Sequence, residues 1–192
     1  MIAIATIVEG DGEVAALPVL LRRMGEWLSP GIGVNLSPPI RVRRNRFLSR
    51  DEEFRRYLLL AAAKCGDNGW ILVLLDADND CPAELSEQVL QRARSHVPHR
   101  RISVVLANRE YEAWFLAAVD SLHGKRGFTF DNPQNFNPEH TRDAKGWMGN
   151  RMGKYRETVD QPAFSAVMDL RQAQKNSRSF RKLCSEWSKQ IL

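Results

Sequence analysis

The stretch from Trp70 to Asp80, WILVLLDADND, restricts the fold of this chain more than any other. Trp70 through Leu75 are apolar without alternation, which fits a strand covered on both faces and not one with a wet side. The run stops in acid, at Asp76, Asp78 and Asp80. Buried strands of this kind belong to parallel sheets, whose ligands sit in the crevice beyond the carboxyl ends of the strands. Two carboxylates about 4 Å apart repel by roughly 4 kcal/mol at an effective dielectric of 20, a cost that a divalent cation between them reverses. The competing reading of the same residues is a solvated turn that caps the following helix.

A second strand of the same type opens the chain. Ile2 to Val8 is apolar and ends at Glu9, and Gly10, Asp11 and Gly12 then permit a tight turn. Glu13 follows, opening a helix in which Val14, Leu17, Leu20, Leu21, Met24 and Leu28 recur at helical spacing, with Pro18 near its start. Ser29 to Pro39 is rich in Gly, Pro and Ser and reads as a loop. Ile40 to Phe47, IRVRRNRF, alternates apolar and basic residues, which predicts a short strand with Arg41 and Arg43 on one face. Ser49 is the expected N-cap of a helix running to Lys64, with Asp51, Glu52 and Glu53 in its first turn. A break at Gly66 to Gly69 precedes the central strand. A helix from Pro82 to Ser95 and a strand from Ile102 to Leu106 come next, giving the order βαβαβαβ.

Such alternation predicts an α/β fold, a parallel sheet flanked by helices and joined by right-handed crossovers. REYEAWFLAAVDSL, after Asn108, is expected to be helical, with Tyr111, Trp114, Phe115 and Ala118 on one face. Neighbouring positions on a helix diverge by about 100 degrees, so only one of Glu110 and Glu112 can point inward. Gly124 to Pro162 reads as long loops with short helical pieces. Ala163 to Gln172 and Ser177 to Ile191 read as amphipathic helices, completing a C-terminal extension. The expected organisation is a core over 1–122 and an extension over 123–192 packed on it as one domain.

Composition narrows the setting. A chain of 192 residues, 43% hydrophobic, can bury a sizeable core. Its net charge of +5 permits nucleic acid as a partner without requiring it. Cys65, Cys81 and Cys184 are far apart and odd in number, which fits a reducing cytoplasm better than a disulfide or zinc framework. No apolar stretch approaches the roughly 20 residues of a membrane helix. Phosphate-loop, HExxH and GxSxG motifs are absent, so ATP hydrolysis by this chain alone is not expected.

Glu9 and Asp76 both stand at strand ends, so acids remote in sequence are expected to share one crevice. VEGDGE at Val8 to Glu13 followed by LLDADND at Leu74 to Asp80 resembles the two signature motifs of the Toprim fold, shared by topoisomerases, primases and OLD-type nucleases. REYEAWFLA at Arg109, KYRETVDQPAF at Lys154 and SFRKL at Ser179 are similar to the small bacterial Toprim-like family DUF4276, with kinship to RloB-like proteins. The second acid, Glu13, departs from the usual first motif. The resemblance implies a Mg²⁺- or Mn²⁺-dependent nuclease acting on DNA or RNA, with a bacterial defence system or a separate ATPase partner as its expected setting. It implies Asp76 and Asp78 as ligands, Glu9 as ligand or general acid/base, and Lys145 near the scissile phosphate.

Glu13, Asp80 and Glu112 are further metal candidates, hard oxygen donors suited to such ions. Arg41, Arg43, Arg44 and Arg46 are candidates for following a phosphate backbone, or else charges that protect an edge strand. Trp147 and Tyr155 could stack on bases, although aromatic residues in irregular segments usually anchor to the core. His96 and His99 lie at the sheet end opposite the acids. Two rival readings remain at this stage: a non-catalytic module binding nucleic acid or protein, and a phosphatase with an aspartyl nucleophile at Asp76.

Overall fold

A computed structural model describes residues 1–131 and 136–192. The part of the expected long loop that falls at 132–135 lies outside the described residues.

Alternation of side chains across the strands explains why the apolar runs are unbroken. Ile4, Val8, Trp70, Leu72, Leu74, Val105 and Ala107 pack in one core. Ala5, Ile7, Ile71, Val73, Leu75, Ile102, Val104 and Leu106 pack in a second core on the other face. Both faces of the sheet are therefore dry, as the sequence requires. Every pairing is parallel. β1 (Ile2–Val8) lies beside β4 (Trp70–Asp76), and β4 beside β5 (Arg101–Ala107).

The remaining edge of β1 is shared by two short strands. β2 (Val34–Leu36) pairs with its first half and β3 (Ile40–Arg41) with its end. Between them lie Pro38 and Pro39, which have no N–H to give a ladder and so interrupt the edge. β2 corrects the reading of Ser29 to Pro39 as loop throughout. Its strand character comes from pairing with β1, which its own composition does not announce.

The predicted strand over Ile40 to Phe47 is also corrected. It ends at Arg41, and Arg44–Ser49 forms a helix, α2. Phe47 is fully buried against Phe54, 4.7 Å between ring centroids, and Leu48 packs on the same core. Adjacent residues of a strand point to opposite faces, so only a helical turn buries both. Ser49 consequently caps nothing: it is the last residue of α2 and its hydroxyl donates to the Asn45 carbonyl at 2.6 Å. α3 (Asp51–Cys65) and α4 (Pro82–His96) complete this side of the sheet.

α1 (Asp11–Leu28) covers the other side, and Pro18 lies within it without ending it. α5 (Ala113–Ala117) and a 3-10 turn at Val119–Leu122 replace the longer helix expected there. α6 (Ala144–Met152), α7 (Glu157–Val167), α8 (Leu170–Asn176) and α9 (Arg178–Ile191) form the extension. The helix predicted over Ala163 to Gln172 is thus two helices. Asp169 divides them, its carboxylate accepting from the backbone N–H groups of Arg171 and Gln172 at 2.8 and 3.0 Å. α1, α5 and α7 to α9 share one continuous core with the sheet. All three cysteines are free. Among the described residues no helix is long and apolar enough to cross a membrane.

Candidate active site

Parallel register brings the two acidic strand ends together. Ile7 pairs with Val73, so Glu9 and Asp76 follow immediately at the same edge of neighbouring strands. Asp76 shares the parity of Leu72 and Leu74, which face the α1 and α7 side. Two more carboxylates are supplied there. Glu13, in the first turn of α1, is 8% exposed, and Glu112, immediately before α5, is 1% exposed. Glu110 stays at the rim and accepts the Lys145 backbone N–H at 3.0 Å, and Glu112 is the buried one of the two, although both lie in the turn before α5 and not in a helix.

The extension lies over these acids. Gln161 in α7 donates its amide to Glu13 Oε1 and to Glu112 Oε1, each at 3.4 Å. The Tyr155 hydroxyl donates to Glu112 Oε1 at 2.9 Å. Lys145 in α6 pairs with Glu157 at 2.8 Å. Nothing in the spacing of the sequence singles out Gln161, and Tyr155 acts here as a hydrogen-bond donor where the sequence suggests a stacking aromatic. Only the segment KYRETVDQPAF, which contains both, pointed to this region.

Negative charge is poorly compensated here. Burial pushes the Asp76 carboxyl well above its ordinary value, helped by the charges of Glu13, Glu112 and Glu9, with Lys145 opposing. Glu112 is pushed up to about 7, chiefly by burial and against the pull of Lys145 and the Tyr155 hydroxyl. Glu9 is raised by burial and by Asp78, and Arg44 offsets part of this. One Glu9 oxygen, Oε2, is buried and has no hydrogen-bond partner among the described residues. Burial alone would lower the Lys145 ammonium, but Glu157, Glu112 and Glu110 hold its proton more tightly than usual.

Asp78 and Asp80 stand apart from this group. Both are exposed, and both pair with Arg44, at 3.3 and 2.5 Å. Arg44 also donates Nε to the Asp76 carbonyl at 3.0 Å and is itself nearly buried, so it pins the turn after β4. Asp78 holds the left-handed φ of 51° that this turn demands. The other arginines do not form a stripe on a strand. Arg41 pairs with Asp11 at 3.1 Å, Arg46 pairs with Glu53, and Arg43 is exposed.

Glu9, Glu13, Asp76 and Glu112 are hard oxygen donors of the kind Mg²⁺ or Mn²⁺ takes. The raised proton affinity of Glu9, Asp76 and Glu112 and the unpartnered Glu9 oxygen fit a cation-binding role. As the side chains stand, no group of three or more His, Cys, Asp or Glu residues is gathered closely enough to hold an ion, among the described residues. The donor chemistry fits such an ion, and coordination requires the carboxylates to draw inward. A cleft of about 920 Å³ lies elsewhere, between the starts of α4 and α9, and borders Phe136.

The close approach of α1 and α7 is testable. A methyl group on Gly12 would collide with Gln161 Oε1 and the Glu157 side chain. Gly12→Ala is therefore expected to cost about 1–3 kcal/mol in a urea titration, by overpacking. An unchanged midpoint would show that α7 does not rest on this turn.

The fold and the crevice together define an α/β protein with a carboxylate-rich pocket at the carboxyl ends of a parallel sheet. The model of the family described as "Domain of unknown function (DUF4276)" matches residues 8–187, and the chain belongs to that family. Neither a curated protein nor a solved structure matches it.

Proposed function

We propose that this protein is a Toprim-like, Mg²⁺- or Mn²⁺-dependent nuclease that hydrolyses phosphodiester bonds of DNA or RNA. Kinship with RloB-like and OLD-type nucleases belongs to the same proposal, resting on the order of VEGDGE and LLDADND in the chain. The observation that supports it most is the convergence of Glu9, Glu13, Asp76 and Glu112 from separate parts of the chain, with a negative charge that Lys145 and Arg44 offset only in part.

Glu9 and Asp76, with Glu13 and Glu112, would hold the cation. A divalent ion at such a site polarises a phosphoryl oxygen and lowers the pKa of bound water. The chain's own groups do the rest. Gln161 and Tyr155 orient Glu112. Lys145, kept protonated by its carboxylate neighbours, places a positive charge beside the acids, where a phosphate would gain from it. Glu112, raised to about 7 by burial, would give up its proton on holding the cation, so that affinity for the ion would rise with pH. A cytoplasmic setting, a role in bacterial defence and a separate ATPase partner extend the same reading.

One feature favours the rival reading, a binding module without turnover: Asp78, half of the Asp-x-Asp motif, is engaged by Arg44 and faces solvent. A metal-titrated cleavage assay on DNA and on RNA separates the two readings. Metal-dependent cleavage that is lost in Glu9→Gln supports the nuclease. Undiminished cleavage in both Glu9→Gln and Asp76→Asn removes this mechanism, and metal-independent binding without turnover supports the module.

A further inference from the structure

A second concave surface lies beside the acidic crevice, at the junction of β3, α2 and α3. It is a groove of about 340 Å³ whose walls include Arg41, Arg43, Arg46, Arg56 and Tyr57. Glu53 is the carboxylate among its lining residues, and it is shared by Arg46 and Arg50. Positive charge is therefore in clear excess. Arg43 and Arg56 are exposed, and neither forms an ion pair among the described residues. Arg56 lies over the Tyr57 ring, 4.9 Å from its centroid.

Two contacts join this groove to the acids. Arg41 pairs with Asp11, two residues before Glu13, and Arg44, the neighbour of Arg43, bonds to the Asp76 carbonyl. An anion held by Arg43 thus sits next to the rim of the carboxylate pocket. Arginine forks match phosphate oxygens, and guanidinium and tyrosine faces accept unpaired bases. Glu13 and Glu112 are recessed, so a phosphate reaches them from a strand freed of its complement and not from the outside of a duplex.

We propose that this groove binds the backbone of single-stranded nucleic acid and feeds it toward the acidic crevice. The proposal rests on the nuclease reading for its direction, but it makes a separate claim about binding. Fluorescence anisotropy of a labelled single-stranded oligonucleotide, and of a blunt duplex of the same sequence, is measured in EDTA over a range of salt concentrations. Arg43→Ala combined with Arg56→Ala is expected to weaken single-strand binding about tenfold or more and to reduce the salt slope by about 1.4, roughly 0.7 per lost phosphate contact.

Both residues are exposed, so a thermal melt serves as the folding check. Unchanged affinity and slope in the folded double variant overturn the groove, as does tighter binding of the duplex. Binding with this pattern in a protein that never cleaves leaves the groove standing and removes the hydrolytic reading. Cleavage with binding indifferent to the double variant does the reverse.

Discussion

Asp76→Asn is expected to lower metal-dependent cleavage by at least about a hundred- to thousandfold, the scale on which one well-placed electrostatic group contributes. The same substitution is expected to raise the melting temperature in the absence of divalent cations. An isosteric amide keeps the volume of the side chain while removing a charge that Glu13, Glu112 and Glu9 all oppose. Glu112→Gln makes the second half of this prediction quantitative. Its carboxyl is raised to about 7 in the folded protein from an ordinary 4.5.

A carboxyl raised on folding binds its proton more tightly in the native state, so stability falls as pH climbs from the unfolded value through the folded one. Glu112 should therefore cost nothing at pH 4 and about 3 kcal/mol at pH 8, from roughly 1.36 kcal/mol per unit. Glu112→Gln keeps an oxygen for Tyr155 and Gln161 and carries no charge, so most of that cost should be recovered. Melts of the two proteins at both pH values check it: the gain must appear at pH 8 and vanish at pH 4. Adding Mg²⁺ should stabilise the natural chain and not Asp76→Asn, because only a ligand bound to the native state shifts the equilibrium.

Trp187→Ala is expected to destabilise the protein by about 3–5 kcal/mol in urea, the range for deleting a large buried aromatic. Trp187 is fully buried in α9, meets Trp70 of the central strand edge-on at 5.9 Å, and donates its indole N–H to Ser29 at 3.1 Å. Its ring also lies against Gly25, where there is no side chain to hold it off. The transition should remain single, since the extension and the sheet share one core. A separate early transition in the variant would show that residues 123–192 fold as an independent unit.

Glu9 and Asp76 were visible in the sequence because each ends an apolar run, and parallel pairing leaves such residues one place to meet. Glu112 was singled out by the likeness of REYEAWFLA to the family, while the helix assumed for it begins only at Ala113. Arg44 was misread because its role depends on the turn into α2, which exists so that Phe47 and Leu48 can be buried together. With that turn in place, Arg44 swings to the acids after β4 and occupies Asp78 and Asp80. β2 went unseen among Gly and Pro residues because an edge strand of three residues is defined by its neighbour and not by its own pattern. Gln161 and Tyr155 had no spacing to betray them. They act on residues more than forty positions away in sequence, through a packing of α7 on α1 that no local rule contains.

That packing has a bearing on when the protein can act. Glu9 and Asp76 leave the ribosome well before Tyr155 and Gln161, which bring the hydroxyl and amide that steady Glu112. A nascent or prematurely terminated polypeptide lacking them would present acids without their supports. On the nuclease reading, cutting activity is then withheld until α7 has been made and has packed on α1.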